Sequence, residues 1–295
     1  GDHRDLHSFP TRRSSDLRVN ADPVAASAPH PEAVKGNNGR AVWSLICVNA
    51  LTPAAIVEPL MIPLRDNIRS QSTPYVNIGI IVTCVFVFIL QLTSRGEDML
   101  MPWAFVPRTL IDPSAWSQYG FGHIAFTGLS AMFMHGDFLH LGSNMLFLWV
   151  FGDNIEDRMG HIKYLLFYLL CGVAATLAHS AVTLFSTIPM VGASGAIAGV
   201  MGAYFVLCKQ SSIRTLVPTI MIIPVIVEIP AILFIGMWFV LQLLYGLGML
   251  GLGAGIAFWA HIGGAVVGYY FARRFGGGRK PKPPEPRVID LRIIE

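Results

Sequence analysis

Residues 192–199 read Gly-Ala-Ser-Gly-Ala-Ile-Ala-Gly and place a single serine, Ser194, among small residues at the start of an apolar run that ends near Cys208. Glycine and alanine allow a neighbouring helix to approach closely. The first turn of a helix also presents free backbone N–H groups and a positive dipole end, which suit an anionic oxygen. Runs of small residues are usual in packing faces. The segment therefore predicts a tightly packed helix and, as a second interpretation, a serine placed for chemistry.

The whole chain is unusually apolar. Of its 295 residues, 53% are hydrophobic and 13% are charged, whereas soluble domains carry about 25% charged residues. A bilayer is the natural solvent for such a surface, so we expect a lipid bilayer around the chain. The net charge of +3 is too weak to indicate a nucleic-acid partner. The four cysteines are far apart and fit no zinc or disulfide pattern, so we expect no metal and no cofactor.

Six apolar runs predict an all-α, polytopic membrane protein with six transmembrane helices. The runs are approximately Tyr75–Leu92, Leu139–Phe151 (extended backwards by Ala131–Met134), Tyr164–Phe185, Gly192–Cys208, Ile229–Leu247 and Gly253–Phe271. The second run is short for a full crossing, which suits a helix shielded by protein. Residues 216–227 contain two prolines and predict either an interfacial segment or an extension of the fifth span.

The distribution of lysine and arginine predicts the orientation. With the N-terminus in the cytoplasm, most basic residues flank the inner ends of the spans, whereas the outer loops hold only Arg95 and Arg108. This bias places both termini in the cytoplasm. The long outer loop, residues 93–129, carries Trp103, Trp116 and Tyr119, and predicts a partly embedded loop.

The two ends of the chain do not look like parts of the fold. Residues 8–17 read Ser-Phe-Pro-Thr-Arg-Arg-Ser-Ser-Asp-Leu, which resembles a translated sequencing adapter. We therefore interpret residues 1–17 as an artefact and residues 1–60 as a disordered or artefactual extension, with the natural start at Met61. The membrane domain is predicted for residues 61–275. The Pro- and charge-rich residues 276–295 predict a disordered cytoplasmic tail.

Polar side chains stand at membrane depth in the second run. His140 and Asn144 are four residues apart and share one helix face, and His135 precedes them. Polar groups are costly inside a membrane and therefore indicate a functional site. The alternative is that His140 and Asn144 only bond to neighbouring helices, and that His135 packs in a loop.

A lone histidine, His261, stands in the sixth run ahead of Gly264 and Gly268. Glycines four residues apart leave a helix face that permits close contact with another helix. The alternative for His261 is a histidine bonded to a backbone carbonyl.

The three clusters together predict a nucleophilic site. A serine hydroxyl needs a neighbouring base to take its proton, and His261 can supply that base for Ser194. The anionic oxygen of a tetrahedral intermediate needs hydrogen-bond donors, for which His140 and Asn144 have the right chemistry. No intramembrane carboxylate is available to orient the histidine, so the sequence predicts a dyad rather than a triad.

These motifs resemble those of the rhomboid family of intramembrane serine proteases, and the resemblance extends from about Met61 to Phe275. The matching elements are Gly192-x-Ser194-Gly195, Ala260-His261-x-x-Gly264-x-x-x-Gly268, and His135 followed by His140-x-x-x-Asn144. Residues 61–66, Met-Ile-Pro-Leu-Arg-Asp, are similar to the N-terminus of many bacterial members. The resemblance implies a six-helix bundle in a bacterial inner membrane that hydrolyses peptide bonds in or near transmembrane segments of protein substrates.

The resemblance also implies residue roles. Ser194 would be the nucleophile and His261 the base. His140, Asn144 and the backbone amide of Ser194 would form the oxyanion hole, supported by His135, Gly192, Gly195, Gly264 and Gly268. Residues 156–158, Glu-Asp-Arg, would be structural, while residues 229–247 and 248–253 would form a lateral gate and cap. Some bacterial members carry a tyrosine four residues after the serine that packs on the histidine. This chain has Ala198 at that position, so another group must brace His261.

Three other functions compete with proteolysis. A catalytically silent rhomboid-like protein would bind membrane clients without cutting them, but such proteins typically lose the serine or the histidine. A metal or haem protein would use His135, His140 and His261, although no carboxylate or cysteine pattern supports it. A transporter is also less well supported, because it would need a charged pathway through the spans and the sequence predicts none.

Overall fold

The computed structural model describes residues 61–93, 101–217, 225–248 and 256–275. The predicted extension at residues 1–60, the predicted tail at 276–295 and the predicted cap after Gly248 lie outside these ranges. The described residues are mostly helical. The helices are α1 (Tyr75–Thr93), α2 (Pro113–Tyr119), α3 (Phe121–Ser130), α4 (Phe138–Phe147), α5 (Asp153–Met159), α6 (His161–Val182), α7 (Ser194–Leu207), α8 (Ala231–Gly248) and α9 (Ile256–Phe275). Short 3-10 turns cover Met101–Trp103, Pro107–Leu110 and Ala131–Phe133.

Each of the six predicted spans overlaps one of these helices. Two of them, α1 and α6, are long and apolar enough to cross a membrane, while α7, α8 and the segment Phe121–Phe133 are apolar but shorter. The count of six crossings therefore stays a prediction.

The second span is longer than its apolar run. A π-helical segment, Leu148–Gly152, joins α4 to α5, so the chain is helical without a break from residue 138 to 159. A π-helical turn leaves the regular hydrogen-bond ladder. Here Asn77 of α1 donates its side-chain N–H to the carbonyl of Leu148 at 2.9 Å, and the hydroxyl of Tyr164 donates to Asn77 at 2.8 Å. Asn77, itself held by Tyr164 of α6, thus satisfies one carbonyl of the irregular turn.

A small antiparallel sheet accompanies the helices, which the all-α prediction did not include. Its strands are β1 (Ile62–Asp66), β2 (Ser212–Val217) and β3 (Val225–Pro230), in the order β1-β2-β3. For the described part of residues 216–227, the alternative that they extend the fifth span is wrong, because these residues lie in β2 and β3 and α8 begins only after Pro230. Valine and isoleucine dominate β3, and β-branched side chains favour a strand over a helix.

Helix α9 packs against both α6 and α7, and small residues line both contacts. A Cβ atom added to Gly263 would lie 2.4 Å from the Cβ of Ala178 on α6. One added to Gly268 would lie 2.0 Å from the carbonyl oxygen of Gly199 on α7. Because a side chain at either glycine would collide with its neighbour, these positions set the close spacing of the three helices.

A buried polar cluster joins the sheet to the helices. Asp66 of β1 accepts hydrogen bonds from the side-chain amide of Asn154 at 2.8 Å and from the hydroxyl of Tyr204. Burial raises the pKa of Asp66 to about 6, because a charged carboxylate is poorly solvated there. The cluster ties the first strand to α5 and α7.

The Glu-Asp-Arg segment binds two helix ends. Glu156 is fully buried, and its carboxylate accepts the backbone N–H groups of Val76 at 2.9 Å and Asn77 at 2.7 Å, at the start of α1. Arg158 donates to the carbonyl of Leu207 at the end of α7. Both contacts satisfy backbone groups that a helix end leaves free. The segment therefore has the structural role that the family resemblance implies.

Replacing Glu156 with alanine is expected to destabilise the fold by roughly 3 kcal/mol, because one buried and one half-buried N–H group lose their acceptor. Glu156→Gln keeps one acceptor oxygen and should cost less. Glu228→Ala is the control, because Glu228 is exposed on β3 and should change stability by less than about 0.5 kcal/mol. Thermal unfolding in detergent measures all three. Equal unfolding temperatures for Glu156→Ala and Glu228→Ala would contradict the capping role.

Candidate active site

Ser194 is the first residue of α7 and is only partly buried. The chain reaches it through Gly192, whose φ of 123° is a conformation that L side chains rarely adopt. The N–H of Gly192 donates to the carbonyl of Ala131 at 2.9 Å and fixes this turn. A Cβ atom at Gly192 would lie 2.7 Å from Nε2 of His140 and 4.0 Å from Oγ of Ser194. The glycine therefore leaves open the space between the serine and His140.

His261 lies on α9 and is 3% exposed. Its Nδ1 is 2.9 Å from Oε1 of Gln242 on α8. The ring of Trp238, one turn earlier on α8, packs against it with 5.3 Å between ring centroids. Nε2 is buried and has no hydrogen-bond partner among the described residues. The ring is thus held on one side by α8, and its second nitrogen is free for another group.

The backbones of α7 and α9 touch beside these two residues. A Cβ atom at Gly264 would lie 1.9 Å from the carbonyl oxygen of Gly195, and one at Gly195 would lie 3.7 Å from Cβ of Ala260. Ser194 directly precedes Gly195, and His261 directly follows Ala260. The two side chains therefore stem from contacting turns of neighbouring helices. Since Nε2 of His261 has no partner, the serine hydroxyl does not bond to it here. Catalytic hydrogen bonds are often long in unliganded enzymes and shorten with substrate.

The tautomer of His140 follows from its neighbours. The backbone N–H of Gly136 donates to Nδ1 of His140 at 3.4 Å. Nδ1 is therefore the acceptor, and the proton of the neutral ring is on Nε2. This Nε2 is the atom that approaches the Gly192 turn, so its N–H is available next to Ser194 as a donor. Asp137 caps α4 by accepting the backbone N–H of His140 at 2.8 Å, which anchors the residue.

Asn144 lies one turn after His140, as the spacing predicts, and is 6% exposed. Its side-chain N–H donates to the carbonyl of His140 at 2.7 Å. An amide carries two N–H donors, so this bond orients the side chain and uses one of them.

His135 packs beneath His140. The two rings meet edge to face with 5.2 Å between centroids. Gln91 of α1 holds the backbone of His135 on both sides, donating to its carbonyl and accepting its N–H, each at 3.0 Å. The loop that carries His140 is thus attached to the first helix.

Three side chains around the site were missed by sequence reasoning: Gln242, Trp238 and Gln91. Gln242 is an amide in an otherwise apolar run, so the rule that marked His261 also marks it. Gln91 stands near the end of its span and gives a weaker signal. Trp238 gives none, because aromatic residues are ordinary in apolar helices.

Metal binding is not supported by the described residues, in which no group of three or more histidine, cysteine or carboxylate side chains is arranged to hold an ion. His135 and His140 contact each other, while His261 is held by an amide and an indole.

Comparison with known proteins identifies the family of the chain. The sequence model of the Rhomboid domain matches residues 122–277, which is more than half of the chain. The protein belongs to the rhomboid family and is an integral membrane protein.

Named relatives are similar over part of their length. The chain is 31% identical to Rhomboid protease GlpG of Serratia proteamaculans (strain 568) over 137 residues, which is 46% of this chain and 44% of that protein. It is 26% identical to Rhomboid protease GluP of Bacillus subtilis (strain 168) over 204 residues, which is 68% of this chain and 34% of that protein. The chain thus spans less than half the length of the curated relatives it matches.

Proposed function

We propose that this protein is an intramembrane serine protease that hydrolyses peptide bonds in or near transmembrane segments of membrane-protein substrates, using Ser194 and His261. The observation that carries the proposal is the backbone contact between α7 and α9, which brings the serine and the histidine onto contacting turns. The names of its relatives support the reaction class.

The reaction follows serine-protease chemistry. A substrate helix unwinds locally, because an intact helix hides its carbonyls in its own hydrogen bonds. Nε2 of His261 takes the proton of Ser194 as Oγ attacks the carbonyl carbon. The new oxyanion accepts hydrogen bonds from His140, Asn144 and the backbone N–H of Ser194. His261 then gives its proton to the leaving amine, and water hydrolyses the acyl-enzyme by the same route.

The environment follows from the proposal. The protein spans a bacterial inner membrane with both termini in the cytoplasm, and its six-helix domain covers residues 61–275. Substrates enter beside α8, which covers His261. A silent client-binding protein is not favoured, since Ser194 and His261 are both present and lie on contacting turns.

Covalent labelling tests the proposal. A fluorophosphonate or isocoumarin probe, added to purified protein in detergent with a chelator present, should modify Ser194, as located by peptide mass spectrometry. Labelling should disappear in His261→Ala, because the hydroxyl loses its base. Ser180→Ala is the matched control, since Ser180 is buried in α6 and bonds to Thr176. Labelling that persists in His261→Ala, or that falls on other serines, would contradict the proposed dyad.

A further inference from the structure

An amide stands in the middle of an apolar helix. Gln242 is surrounded in α8 by leucine, valine, phenylalanine and other apolar residues. A polar side chain in such apolar surroundings is costly unless it is hydrogen-bonded. Its bond is with the imidazole of His261, at 2.9 Å between Oε1 and Nδ1.

The bond selects one tautomer of His261. A side-chain carbonyl oxygen only accepts, so Nδ1 carries the proton and Nε2 carries the lone pair. A general base needs that lone pair on the nitrogen nearest the nucleophile. Nε2 is the nitrogen without a partner among the described residues. The geometry therefore leaves the ring in the form that can accept the proton of Ser194.

Trp238 restricts the ring in a second direction. It lies four residues before Gln242, on the same face of α8, and its ring is tilted by 46° against that of His261. Trp238 also contacts Phe147 of α4, at 6.1 Å between centroids. Ala198 of α7 is too small to brace the histidine, and α8 provides this support instead.

We propose that Gln242 is a positioning residue that, with Trp238 packed beside it, holds His261 in the Nδ1-protonated tautomer and so adds a third, orienting group to the Ser194–His261 dyad. The proposal rests on the proposed proteolytic function. In the acylation step the O–H bond of Ser194 breaks and an N–H bond forms at Nε2. The imidazolium keeps donating from Nδ1 to Oε1, so the amide dipole stabilises the charge without taking the proton. The proton at Nε2 later passes to the leaving amine.

Other ionisable groups act on the same ring. The ionisable neighbours of His261 on the other helices are His140 of α4 and His179 of α6, while α8 contributes the uncharged Gln242 and Trp238. Variants at position 242 leave both histidines in place, so a change in pH dependence reports on the group facing Nδ1.

Kinetics supply the first test. Gln242→Met removes the amide and keeps its length, and should lower kcat roughly 10²-fold, less than the loss of a triad carboxylate. Gln242→Glu should retain most of kcat and move the acid limb of the kcat/KM profile to higher pH by about one unit or more, because a carboxylate stabilises the imidazolium. Leu244→Met is the matched control, since Leu244 is 60% exposed on the same helix, and it should leave both quantities unchanged.

Histidine ¹⁵N magnetic resonance supplies a test that needs no substrate. The resonance of His261, assigned by its loss in His261→Gln, should show protonated Nδ1 in the wild type and a mixture of tautomers in Gln242→Met. A wild-type His261 protonated at Nε2 would overturn the proposal. So would an unmoved acid limb in Gln242→Glu, or a kcat within twofold of wild type in Gln242→Met. If the wild type cleaves nothing and Ser194 is not labelled, the proteolytic function fails, while the tautomer still decides the role of Gln242.

Discussion

Replacing Ser194 with alanine is expected to abolish cleavage while leaving the fold intact. Removing the nucleophile of a serine protease typically costs about 10⁶-fold in kcat, so cleavage should fall below detection. The change removes one partly buried oxygen at the start of α7, and no described hydrogen bond depends on it, so the unfolding temperature should stay within a few degrees.

The measurement is cleavage of a single-span substrate in liposomes, followed by gel and by mass of the products. Ser180→Ala serves again as the control and should cleave at the wild-type rate. His261→Ala should match the loss in Ser194→Ala, because residues that act as one unit are not additive. Cleavage by Ser194→Ala at a rate near that of wild type would refute the serine mechanism.

The second large effect is expected at Gly264. In Gly264→Val the Cβ atom would meet the carbonyl oxygen of Gly195 at 1.9 Å and its carbonyl carbon at 2.9 Å. Both atoms are backbone, so no rotamer change relieves the collision and α7 and α9 must separate. We expect a loss of roughly 3 kcal/mol or more, the upper range for overpacking.

The labelling rate should fall by more than the loss of folding free energy alone would explain. Ser194 and His261 lie beside the Gly195–Gly264 contact, and a displacement of about 1 Å at a catalytic group can cost 10²-fold in rate. Gly79→Ala is the control, since a Cβ atom there meets nothing within 4 Å and alanine favours a helix. Thermal unfolding and fluorophosphonate labelling in detergent measure both effects. Wild-type values for Gly264→Val in both assays would show that the two helices are not in close contact.

Local signals in the sequence predicted much of the fold. The apolar runs gave the approximate positions of six helices, because hydrophobic length is a property of the run itself. The sheet was not predicted. Strand β1 pairs with β2 about 150 residues later in the chain, and such pairing depends on non-local contacts. The role of residues 156–158 was implied by the family resemblance, but the capped N–H groups at the start of α1 were not identified.

The candidate site divides in the same way. The sequence by itself predicted the candidate reactive groups, because polar side chains in apolar runs are costly wherever such a chain folds. Only the tertiary structure decided that Gln242 and Trp238 hold His261, that Gly136 leaves the proton of His140 on Nε2, and that Gly195 meets Gly264. The physical reason is that a hydrogen bond or a backbone contact requires a distance of a few ångströms between residues that are far apart in the chain, and residue type and spacing alone do not specify that distance.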